Sequence, residues 1–180
     1  MPRGCIGCRP TAPLCRPKRH LHGSGPASHV SIGVERPDDA GRGHCGDHTA
    51  EWLLDETRRW LERAQGDLRA AEICAAELPA AALFHCQQAA EKYLKAFLTW
   101  NQTVFRKTHD LGELVVACAR IDPVLESALE SAEGLSKYAW QFRYPGAPYE
   151  PDAQEAAAGL VLAEQVGAAI VSRLPQAALS

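Results

Sequence analysis

Nothing in the 180 residues approaches the roughly 18 consecutive apolar positions of a membrane span. The N-terminus has no apolar core of about seven residues ahead of a small-residue cleavage site, so a cytoplasmic protein is expected. Sustained alternation at period two is missing, which leaves out half-buried strands and points to an all-α chain. No segment repeats at a fixed period. A phosphate-cradling glycine loop, a nucleophile triad and paired carboxylates at catalytic spacing are all absent, and no cofactor is expected. The seven cysteines are odd in number, and Cys74, Cys86 and Cys118 stand singly within helical patterns, so reduced thiols are expected and a disulfide framework is not.

Positive charge is also scarce where the chain looks foldable. Residues 1–50 hold eight of the 14 Gly and six of the 12 Pro, with seven Lys+Arg against four Asp+Glu and no apolar periodicity. That composition predicts a disordered leader over 1–48. The remaining residues carry 12 Lys+Arg and 18 Asp+Glu, a net of −6, so contact with a polyanion requires a local basic patch. Cys5, Cys8, Cys15, His20 and His22 have the ligand chemistry of a zinc site. They lack a second paired ligand set and apolar residues to pack beneath a metal, and no metal is expected.

What is present is helical patterning over 49–176. Leu53, Trp60, Leu61, Ala64, Leu68 and Ala71 recur at three and four, with Glu51, Glu56, Arg58, Arg59, Glu62, Arg63 and Asp67 assigned to the opposite side. Pro79 separates this first helix from a second that runs to about Trp100. On the second, Leu83, Cys86, Gln87, Ala90, Leu94, Phe97 and Leu98 share one stripe, while His85, Gln88, Glu91, Lys92 and Lys95 share a polar arc. Ala89 and Ala96 form a small strip for close helix approach, within the subunit or across a dimer. Gln87 lies in the apolar stripe and needs a polar partner, since a buried unpaired amide costs about 1–3 kcal/mol; His109 is a candidate.

Thr108 or Asp110 caps a third helix, with Glu113 completing a capping box. Asp122 and Pro123 open a fourth, on which Val124, Leu125, Ala128, Leu129, Ala132, Leu135, Ala139 and Phe142 follow a period near 3.6, with Gly134 a possible break. Asp152 caps the last, lined by Ala156, Leu160, Ala163, Gly167, Ile170 and Leu174, beyond which the tail is expected to fray. Four or five antiparallel helices with mostly short links predict an up-and-down bundle.

Three blocks carry a family resemblance: Gln87-Gln88-Ala89-Ala90-Glu91-Lys92-Tyr93-Leu94-Lys95-Ala96, then Lys107-Thr108-His109-Asp110-Leu111, then Arg143-Tyr144-Pro145. In this order and spacing the chain resembles the HEPN domain family over residues 52–174. The resemblance implies a small helical bundle, often dimeric, that binds nucleotides or RNA and is often encoded beside a minimal nucleotidyltransferase as a toxin–antitoxin pair. Another branch of the family cuts RNA with an Arg separated by four to six residues from a His. After Arg143 the matching positions are Pro148, Tyr149 and Glu150, none of them an imidazole; Arg16 to His22 and Arg42 to His48 match only within the leader.

Arg143 and Tyr144, on a turn stiffened by proline, suit a phosphate and a stacked base, and equally suit a helix end closed by an Arg and a plugging ring. Lys92, Lys95 and Lys107 are further candidates for phosphate, with a solvated face as the plain reading of the arc. His109 beside Asp110 reads as a general base or as a loop-fixing hydrogen-bond group. Gln87, His109 and Asp110 are accordingly expected as structural polar residues. The expectation is a non-catalytic domain binding a nucleotide, RNA or a nucleotidyltransferase partner. A metal-independent ribonuclease using Arg143 with His109, or a pure interaction module, are the alternatives.

Overall fold

In the computed structural model, residues 47–142, 146 and 149–180 are described. The leader, with its cysteine and histidine set, and Arg143, Tyr144, Pro145 and Pro148 lie outside the described residues. Among the described residues every regular element is helical, and no helix is long and apolar enough to cross a membrane.

The first stripe forms α1, Asp47–Cys74, burying Leu53, Leu61, Ala64 and Ala71 together with Thr57, a polar residue that apolar periodicity does not single out. Leu78 before Pro79 takes φ −136° and ψ 64°, outside the helical region as a residue preceding proline is driven to do. The chain reverses there into α2, Pro79–Trp100. Fourteen of its 22 residues are buried, so α2 is the core element, touching α1, α3, α5 and the stretch after α4. Ala89 and Ala96 are fully buried within this one chain, so their strip is no argument for a second copy.

The C-terminus of α2 ends with Gln102 at φ 52° and Thr103 N donating to Leu98 O at 2.9 Å, a left-handed cap that turns the chain back along the helix. Asp110 caps α3, Leu111–Ala119, accepting from Gly112 N at 2.9 Å and Glu113 N at 3.4 Å. The N–H of Asp110 goes to Thr108 Oγ1 instead of Glu113, so both candidate caps are used and the reciprocal box is not. Asp122 accepts from Val124 N at the start of α4, Val124–Leu129, and from Arg173 Nε at 2.6 Å, tying the end of α5 to that turn.

The expected 3.6-period helix stops at Leu129. Glu130–Ala139 is a 3-10 helix, and Leu129, Ala132, Leu135 and Tyr138 are buried at spacings of three, as its three residues per turn require. Val124 and Ala128 are exposed, and Gly134 lies inside the stretch without dividing it. Asp152 caps α5, Ala153–Val171, accepting from Glu155 N at 2.8 Å. Gly159 and Gly167 let α5 close on α2: a Cβ at Gly159 would lie 2.6 Å from Leu83 Cδ2, and one at Gly167 would lie 2.9 Å from the Tyr93 ring. The tail does not fray. Arg58 donates to Ala177 O at 2.9 Å and Ser180 O at 2.8 Å, and Ala178 is buried against the bundle.

Candidate functional site

Two clusters concentrate the polar and aromatic side chains of α2 and its neighbours. The first lies along the middle of α2. Glu91 is buried and accepts from Lys95 Nζ at 2.6 Å, Gln87 Nε2 at 2.9 Å and His109 Nδ1 at 3.0 Å. A carboxylate only accepts, so the imidazole donates to Glu91 through Nδ1. Burial alone would push the Glu91 carboxyl up, but the hydrogen bonds from Lys95, Gln87 and His109 and the Lys95 charge outweigh it and hold it below 4.5. Gln87 also donates to His109 O at 3.2 Å, and Lys95 to Thr108 O at 3.3 Å, so the loop after α2 is fastened to the helix through its backbone carbonyls. The Lys95 ammonium also stands 5.7 Å from the centre of Trp60 and 5.9 Å from that of Phe105.

Beside it, Asp67 of α1 bonds Lys92 Nζ with one oxygen and His85 Nδ1 with the other, at 2.9 Å for the histidine. Lys92 also donates to Gln88 Oε1 at 3.1 Å. This is an interhelical pair, and Asp67 therefore faces α2 and not solvent.

The second cluster surrounds a cleft of about 640 Å³ at the N-terminal end of α2, within the size range of small-ligand sites. Leu78, Pro79 and Phe84 form one wall; Tyr138 and Phe142, at and just after the end of the 3-10 helix, form the other, with Glu77 and Glu150 adding carboxylates. Phe142 stacks on Tyr138 at 5.9 Å between ring centres and meets Tyr149 edge-on at 5.6 Å. Glu155 Oε1 accepts the hydroxyls of both Tyr138 and Tyr149 at 2.6 Å. Burial first, and then Glu155, push the Tyr138 hydroxyl well up; for Tyr149 the Glu155 bond is the main cause.

The expected residues are thus divided. Gln87 has its partner, and the partner is the His109 backbone as well as Glu91. Asp110 is a cap. Glu91 and Lys95 leave the solvated arc, because α1 and the returning loop cover that side of α2; a helical wheel reads polarity and not coverage. Lys92 and Lys95 are engaged by Asp67 and Glu91, whereas Lys107 is exposed and forms no ion pair among the described residues. His109 does not line the cleft. Glu91, which holds it, is seven residues beyond Phe84, about 10 Å along the helix axis. Arg143 and Tyr144 lie outside the described residues, but Phe142 on one side of them and Glu150 and Pro151 on the other line the cleft.

Asp67 was within reach of sequence reasoning, since it stands three after Ala64 and four before Ala71 on the buried stripe. Tyr138, Tyr149 and Glu155 were not: their meeting depends on how α5 packs against the 3-10 helix.

Residues 57–174 match the HEPN domain family. A solved structure from Thermus thermophilus, that of TT1696, aligns with a TM-score of 0.57 and 32% sequence identity, over 66% of this chain and 98% of the other. No curated protein matches.

Proposed function

Since the chain belongs to the HEPN domain family, we propose that it binds a phosphate-bearing ligand, a nucleotide or RNA, through Arg143 and Tyr144. The observation that carries this reading is a cleft lined by Phe142, which precedes them in sequence, and by Glu150 and Pro151, which follow. It is walled by aromatic rings suited to a base. The internal pairing of Lys92 and Lys95 supports the same choice, because it removes two of the other cations from competition and leaves Lys107 as an accessory. On an otherwise acidic domain, a guanidinium fork two residues from a proline is the group to hold phosphate oxygens.

The test is titration of the four ribonucleoside triphosphates and a fluorescein-labelled twelve-nucleotide RNA against the protein and Arg143→Ala. A charge-assisted contact is worth about 1.5–3 kcal/mol, so the variant should bind about tenfold or more weakly with unchanged helical circular dichroism. Arg143→Lys should recover little. Equal binding by Arg143→Ala would refute the assignment. Intact RNA at the end of the titration agrees with a binding role; cleavage lost in His109→Ala would favour the ribonuclease alternative.

A protein partner, a minimal nucleotidyltransferase, is a second reading. Leu78 in the cleft wall and Trp140, two residues before Phe142, are 60% and 64% exposed, an apolar surface suited to docking. Co-sedimentation with a minimal nucleotidyltransferase, lost in Trp140→Ser, would support it.

A further inference from the structure

We propose that Glu155 is a positioning residue: by accepting the hydroxyls of Tyr138 and Tyr149 on one carboxylate oxygen, it holds together the two ends of the stretch that contains Arg143 and Tyr144, and so sets their affinity for ligand. The affinity part of this inference rests on the binding role proposed above. The constraint itself rests on the geometry of described residues alone.

The two tyrosines lie on opposite sides of residues 143–145, one at the end of the 3-10 helix and the other just ahead of α5. Both O–H···O distances are 2.6 Å, the short range of bonds to an ionised acceptor. Phe142 packs between the two rings, so the ends of the stretch are joined by aromatic contact as well as through the carboxylate. Glu155 is itself well fixed, with its backbone N–H on the Asp152 cap and the Lys137 ammonium 3.9 Å from its carboxylate. The burial pattern argues against a purely stabilising role. Tyr149 is 40% exposed, so water is available to its hydroxyl and the bond to Glu155 is not needed to satisfy a buried group. What the bond does is hold Tyr138 and Tyr149 together through one carboxylate, which lowers the ordering cost that binding would otherwise carry.

Two variants test this in the full chain. Tyr149→Phe keeps the ring against Phe142 and removes one hydroxyl; Glu155→Gln keeps the shape and removes the charge. Each should speed amide hydrogen exchange in peptides covering 139–150 while exchange in α1 and α2 stays as in the parent. Each should also weaken binding of whichever triphosphate or labelled RNA the parent binds, by about fivefold or more. In an alkaline absorbance titration, Glu155→Gln should bring Tyr149, raised chiefly by its bond to Glu155 and not by burial, back toward its ordinary ionisation. Arg143→Ala is the control, losing binding without altering exchange. Unchanged exchange over 139–150 in both variants overturns the constraint, and faster exchange with undiminished affinity overturns its role in binding. If the parent binds none of the probes, the binding role and the affinity claim fall together, and the exchange result alone decides the constraint.

Discussion

A buried charge is tolerated only with its partner in place, and Glu91 and Lys95 are each 7% exposed or less. Glu91→Gln leaves the Lys95 ammonium without its counter-charge, and breaking a buried pair in this way costs about 3–5 kcal/mol. Adding Lys95→Met should recover most of that loss, which chemical denaturation of the single and double variants would measure. The same pair sets an acid limit. Because the Glu91 carboxyl is held below its ordinary 4.5, its contribution is present above that value and is lost as pH falls through the lower, folded one. The parent should therefore lose stability progressively as pH falls below 4.5, and the double variant should lose less over the same window. The need for a polar partner at Gln87 was legible, since one amide interrupted an apolar stripe. The burial of Glu91 and Lys95 was not, because both are ordinary surface residues by type and only the returning loop covers them.

Among the helices, α5 depends on two glycines and α1 tolerates one. Alanine is about 1 kcal/mol better than glycine in a helix interior, and a Cβ added at Gly66 would meet nothing within 4 Å, so Gly66→Ala should stabilise by about that amount. Gly167→Ala sets a methyl against the rigid, buried Tyr93 ring, and Gly159→Ala sets one against the fully buried Leu83, with Cys86 and Leu135 also within 4 Å of that methyl. Overpacking of about 1–3 kcal/mol should outweigh the helix gain and give a net loss at both sites. Thermal melts of the three variants would show opposite signs for α1 and α5. The caps Asp110 and Asp152 could be read directly from the sequence because capping is local chemistry. The 3-10 helix could not, since Leu125, Leu129, Ala132 and Leu135 fit three- and four-residue spacing alike, and the backbone's choice was decided by packing against α2 and α3.

As a whole molecule, the bundle followed from apolar periodicity together with prolines and caps, which fix helix number and order, while the joining of the cleft's two sides needed tertiary structure. The first described buried side chain is Leu53, so a chain beginning at Thr49 should melt within a few degrees of the full sequence; a larger drop would show that the leader contributes to the fold. The clasp between Arg58 and the carbonyls of Ala177 and Ser180 joins residues 119 and 122 positions apart. Contacts across so much sequence form late, after the intervening helices have docked. Arg58→Ala should consequently leave the refolding rate almost unchanged while unfolding accelerates about fivefold, the kinetic equivalent of about 1 kcal/mol. In stopped-flow measurements only the unfolding arm of the chevron would move, making this clasp a determinant of how long the native state lasts and not of how quickly it is reached.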